Sequence, residues 1–195
     1  MNTYAPIISL EDFGGFKAAI SGTIVCTSGG FDPIHPGHIS CFIDSKDLGD
    51  KLVVVVNGDS FLKAKKGRPF QDLDTRCRIV SAIRGVDYVV PFEIENDQSV
   101  CVALEQIQPH IFAKGGDRKD PSSIPEWGVC QRLGIQVVFG VGEDKQWSSS
   151  DFLSKWTEEI KRERDLALET VKVYKQIAIP GILEEDKNRF LHGAS

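Results

Sequence analysis

Two histidines, His35 and His38, stand three residues apart in the stretch Gly30-Phe31-Asp32-Pro33-Ile34-His35-Pro36-Gly37-His38. At the start of a helix this spacing puts both imidazoles on one side. Each ring can donate to an oxygen and become cationic beside a polyanion. Pro36 suits the first helical position, where an N–H has no intrahelical partner. A helix beginning there turns its free amides and positive dipole end toward the chain before it, and the ligand suited to that end is phosphate. The paired Gly29 and Gly30 supply the turn into it. A metal cage of the two histidines with Asp32 or Cys41 is the alternative use of the same residues, although Cys/His zinc sites usually bring more ligands at close spacing.

These residues need a scaffold, and the flanking pattern provides one. A β-branched strand signal at residues 24–27 precedes them, and a helix over Pro36–Asp47, closed by Gly49, follows. Residues 51–56 are a near-continuous valine run, typical of a parallel strand covered on both faces. Strand signals recur at residues 88–91, 111–113 and 136–139, each after a helical segment. Asp72 or Asp74 caps the second of these helices and Gly85 ends it. Asp97 or Ser99 opens the next. Ser123-Ile124-Pro125-Glu126 reads as a capping box. Residues 147–151 open a last core helix with Phe152, Trp156 and Ile160 along its apolar stripe.

Five strands alternating with helices predict an α/β fold, a Rossmann-like doubly wound sheet of about five parallel strands with an α-helical C-terminal extension. The expected domain covers residues 1–160, with an N-terminal arm over 1–23 that holds a short helix interrupted by Gly14 and Gly15. The helical extension covers 161–195. Each unusual polar loop follows a strand, so all converge on one sheet edge, where ligands bind in such folds. One loop carries Lys63, Lys65, Lys66 and Arg68, of which at least one lysine is expected to reach a phosphate; another is Lys114-Gly115-Gly116-Asp117-Arg118.

Composition narrows the function classes. A net charge of −5 over 195 residues argues against broad phosphate neutralisation on nucleic acid. No apolar run approaches membrane-spanning length, and the N-terminus lacks a basic start followed by a long apolar region, so a cytoplasmic protein is expected. Five widely spaced cysteines without a C-x-x-C pair read as reduced core residues.

The stretch ending His35-Pro36-Gly37-His38 resembles the H-x-G-H signature of the nucleotidyltransferase superfamily, which holds the cytidylyltransferases and small adenylyltransferases. Lys114-Gly115-Gly116-Asp117 is similar to a loop in the adenylyltransferase domain of bacterial ADP-heptose synthases. Ser148-Ser149-Ser150 resembles the superfamily's second signature, a Ser/Thr cluster opening a helix. The resemblance runs from about Ile24 to Leu153.

That resemblance implies transfer of a nucleoside monophosphate from a triphosphate to a phosphorylated acceptor, with release of pyrophosphate. It implies that His35 and His38 contact the triphosphate; Lys65, from its place after a strand's carboxyl end, is the third residue expected to be catalytic. Nucleotide contacts fall to Gly29, Gly30, Phe31, Asp32, Gly37, Lys63, Lys66, Lys114, Gly115, Asp117 and Ser148, Ser149, Ser150. Leu153 stands where members acting on nicotinamide mononucleotide or phosphopantetheine usually carry arginine. The expectation is therefore ATP with a sugar phosphate or small phosphorylated alcohol; the alternative is CTP with a glycerol-phosphate-like acceptor. Mg²⁺ is the expected cofactor, held largely by the nucleotide and water. No nucleic-acid or membrane partner is expected, and pairing of two subunits through the C-terminal helix is one use of that tail.

Two readings of other classes stand beside the enzyme. One is a nucleotide-binding regulatory protein that kept the pocket without the reaction. The other, a dinucleotide-dependent oxidoreductase, is weakened because G-x-G-x-x-G is missing after the first strand.

Overall fold

The computed structural model describes residues 4–95, 99–115, 120–143, 146 and 148–177. Five strands, β1 (Ile24–Gly29), β2 (Lys51–Asn57), β3 (Tyr88–Phe92), β4 (Ile111–Gly115) and β5 (Gln136–Val141), pair in parallel in the order β3-β2-β1-β4-β5. The fold is thus the Rossmann-like doubly wound α/β sheet. Strand order reverses beside β1, so a crevice opens between the carboxyl ends of β1 and β4.

The valine run makes β2 an inner strand, between β3 and the central β1. Val53 and Val55 pack into one apolar cluster, while Leu52, Val54 and Val56 pack into the other, so both faces of the strand are covered. Helices α1 (Leu10–Lys17), α2 (Pro36–Asp47), α3 (Asp59–Lys66), α4 (Leu73–Ser81), α5 (Cys101–Ile107), α6 (Trp127–Leu133) and α7 (Ser149–Ile177) complete the described elements, with a 3₁₀ turn at Pro121–Ser123. Helix α2 has the bounds its proline and length suggested.

Several local expectations are corrected. The N-terminal arm belongs to the sheet: Ile8 N–H donates to Val89 O (2.9 Å) and Val89 N–H to Pro6 O (3.0 Å), covering the exposed edge of β3. Gly14 and Gly15 do not interrupt α1, which is anchored by fully buried Phe13 against Tyr88. Leu48, still right-handed, closes α2 in place of Gly49.

The lysine-rich loop is a helix, α3. Its first amides, Asp59 N–H (2.5 Å) and Ser60 N–H (3.1 Å), donate to the Glu93 carboxylate just past β3, and Leu62 is buried beneath it. Helix α6 starts later than Ser123 suggested, at Trp127, and the Glu126 side chain turns inward to Val100 N–H. Residues α7 spans run unbroken through 160, and the chain forms two compact units, Met1–Ser150 and Asp151–Ser195. All five cysteines are free thiols. No helix among the described residues is long and apolar enough to cross a membrane.

Candidate active site

The site grows from the end of β1. Phe31 takes a left-handed backbone conformation (φ 49°), costly for a bulky residue, and its ring folds back under the turn. A Cβ on Gly29 would lie 2.9 Å from that ring, which is why glycine is needed there. The Phe31 ring then meets His38 edge-on at 5.1 Å and Phe42 at 4.9 Å. Phe31 is therefore a floor for the histidine.

Asp32 is also structural in its geometry. It is fully buried, and its two carboxylate oxygens accept from Phe70 N–H (2.8 Å) and Gln71 N–H (2.9 Å). Lys66 donates to the Asp32 carbonyl, with its Nζ 4.0 Å from Oδ2. Asp32 thus ties the histidine turn to the chain after α3, and its carboxylate is committed to backbone donors.

Arg76 is the residue sequence reasoning passed over. Fully buried, it donates to Gly30 O (2.8 Å), Asn57 O (2.6 Å), Gln71 O (3.0 Å) and Asp59 Oδ1 (2.6 Å). One guanidinium thereby pins the ends of β1 and β2 and the start of α3 together. Its signal was a charged residue lying among the apolar positions of α4.

His35 and His38 stack, ring centroids 3.6 Å apart and planes 19° from parallel. The helix tip contributes less than expected: Pro36 has no N–H, and His38 and Ile39 N–H both donate to His35 O (2.9 and 3.3 Å). Gly37 remains at the second helical position, with no side chain capping the tip. Both rings border the cavity beside this tip. Burial, then the neighbouring charges of His35, Lys66 and Lys65, pushes His38 down to about 3, so it is neutral at pH 7 without ligand. Burial likewise lowers His35, countered by its own backbone and reinforced by Lys66. His38 Nδ1 is buried with no hydrogen-bond partner.

The cations come from α3. Lys65 lies over the Phe61 ring at 5.5 Å, and Lys66, lowered chiefly by burial and raised by Asp32, is half-buried beside the turn. On the other side of the histidines, Lys114 at the end of β4 sits 3.6 Å from Glu126 Oε2 and over the Phe112 ring at 4.8 Å. Ser149, buried at the first turn of α7, donates its hydroxyl to Pro33 O (2.9 Å). That proton is spent on a tether, leaving Ser148 and Ser150 nearer the rim.

These groups enclose one cavity of about 690 Å³. Of the candidate catalytic and nucleotide-binding residues named from the sequence, all but two are found in its lining. Lys63 is exposed on α3 and stands outside the lining; Asp117 lies outside the described residues. No three His, Cys, Asp or Glu side chains among the described residues come together as a metal cage.

Comparison with known proteins gives the family and the fold. A family model described as cytidylyltransferase-like matches residues 26–176. The chain is 42% identical over 98 residues to the Bifunctional protein HldE of Actinobacillus pleuropneumoniae serotype 5b, covering 49% of this chain and 20% of that protein. It is 41% identical over 121 residues to HldE of Haemophilus ducreyi, covering 61% and 23%. The chain therefore spans roughly a fifth of the length of these curated relatives. The crystal structure of the lipopolysaccharide core biosynthesis protein from Thermoplasma volcanium superposes with a TM-score of 0.55 at 30% identity, over 64% of this chain and 100% of that one. Pantothenate synthetase from Thermus thermophilus, 16% identical, shares the fold with a TM-score of 0.51 over 76% of this chain and 67% of that one.

Proposed function

The chain belongs to the cytidylyltransferase-like family, and from that premise we propose that it transfers a nucleoside monophosphate, with ATP the favoured donor, to a sugar phosphate or small phosphorylated alcohol. The observation that carries this reading is the stacked histidine pair facing the same cavity as Lys65, Lys66 and the Ser148–Ser150 turn. Likeness to a lipopolysaccharide core biosynthesis protein favours a sugar phosphate as acceptor.

The acceptor brings its own nucleophile. An oxygen of its phosphate, anionic near neutral pH, attacks the α-phosphorus; the bond to the bridging oxygen breaks and pyrophosphate leaves with that electron pair. Such a reaction needs in-line positioning and neutralisation of charge more than a protein nucleophile. His38, neutral in the empty cavity, can donate one N–H to a phosphoryl oxygen and take up a proton as negative charge arrives. Lys65 and Lys66 lie on the α3 side to hold phosphates. Asp32, Arg76 and Phe31 keep these groups in register from beneath.

Mg²⁺ would be carried in by the triphosphate and would offset the negative charge of its phosphates. The donor set suits a metal carried by the nucleotide, since the Asp32 carboxylate is committed to Phe70 and Gln71. Catalysis is assigned to the first compact unit, with the helical extension beyond residue 160 as a separate part.

The test is pyrophosphate release from ATP or CTP with Mg²⁺ across a panel of phosphorylated sugars and alcohols. Release that depends on one acceptor class is the expected result. Tight nucleotide binding with no release for any acceptor would replace the enzyme with a nucleotide-responsive regulator.

A further inference from the structure

We propose that Glu126, with Lys114 beside it, reads the base of the nucleotide by accepting a hydrogen bond from its exocyclic amino group. The site would then select adenine or cytosine nucleotides and reject those with a keto oxygen at the same place. This rests on the nucleotidyltransferase reading and specifies the donor for it.

Three observations lead there. Glu126 is only 4% exposed, yet it borders the cavity at the carboxyl end of the sheet. Its Oε1 accepts from Val100 N–H (3.2 Å), which fixes the carboxylate. Its Oε2 has no hydrogen bond and lies 3.6 Å from Lys114 Nζ, close enough for charge attraction but too long for a bond. A buried carboxylate oxygen left in this state is costly unless a donor reaches it. No protein group among the described residues donates to Oε2, so its donor must come with a ligand or from movement of Lys114.

Charge decides which part of the ligand this is. Lys65 and Lys66 line the cavity from the α3 side, and the histidines stand between them and β4. A buried carboxylate repels phosphate, so the polyanion belongs with the lysines and a neutral, donor-bearing group belongs beside Glu126. The ribose and base follow directly from the α-phosphate at the histidines. An ionised carboxylate can only accept and an ammonium can only donate. Together they match an amino group next to a ring nitrogen acceptor, the edge of both adenine and cytosine. Hypoxanthine and uracil present a carbonyl oxygen and an N–H there, which inverts both contacts.

The experiment compares ATP with ITP, and CTP with UTP, by calorimetric or thermal-shift titration of the whole chain with Mg²⁺. ATP should bind about tenfold or more tightly than ITP, the scale of one hydrogen bond to a charged group. In Glu126→Gln, whose amide can also donate to a keto oxygen, that ratio should fall toward one. Equal affinity of the wild-type chain for ATP and ITP overturns the proposal, and needs no variant to fold. So does a Glu126→Gln protein that weakens ATP and ITP alike, since that effect belongs to packing around Lys114. Failure of every triphosphate to bind would instead sink the nucleotidyltransferase reading itself.

Discussion

The imidazoles of His35 and His38 lie face to face, 3.6 Å between ring centroids, with Phe31 edge-on against His38. Rings held this close can share a phosphate chain between them, but one protonated ring disfavours protonation of the other. Replacing His38 with alanine should leave the fold intact and lower turnover by about 10²- to 10³-fold, the range for loss of one transition-state donor. Pyrophosphate release, with circular dichroism as a control, measures both. A near-normal rate would remove His38 from the chemistry.

The same burial makes acid stability depend on His38. Its native value is pushed down to about 3, against about 6.5 in an unfolded chain. Between these values the unfolded chain binds a proton that the native one refuses. The contribution is fully present above about 6.5 and is lost as pH falls toward 3. Urea unfolding at pH 6.5 and 4.5 should show His38→Asn losing less stability over that window than the wild type; identical losses would count against the depressed value.

The lysines of α3 separate by direction. Lys65 borders the cavity while Lys63 faces solvent. Lys65→Ala should cut kcat/KM for the triphosphate by about 10- to 100-fold, the worth of one charge-assisted contact. Lys63→Ala should stay within about twofold. Steady-state kinetics on the two single variants tests the pair, and equal losses would mean that both reach the ligand.

Asp32 acts through backbone contacts. Asp32→Ala would strand Phe70 and Gln71 N–H and release the turn that Lys66 braces. A loss of about 2–4 kcal/mol in unfolding free energy is expected for two buried donors left unpaired. Turnover should fall too, and high ligand concentration should not restore it. Full stability in the variant would show that water substitutes for the carboxylate.

Much of this was legible in the chain because the informative signals were local. The valine run, the proline at the first position of α2 and the alternation of strand and helix each carry their meaning within a few residues. What was hidden depends on partners far along the sequence. The lysine segment looked like a loop between Gly58 and Gly67; it is helical because Glu93 caps it and Leu62 is buried under it. Ser123 and Glu126 have capping-box spacing, yet Glu126 is drawn to Val100 and Lys114. Phe31 and Asp32 were identified by type, whereas the direction of each side chain, ring downward and carboxylate inward, is set only when α2 and α4 pack.

Glu93 has one further effect. Two helices begin at the same rim of the sheet, one strand apart, and a polyphosphate shifted by about 4.8 Å could in principle sit on either. By occupying the amides of α3 with its own carboxylate, the chain fills the neighbouring seat in advance. Under the proposed function, the polyphosphate is left with a single register, the one beside the histidines.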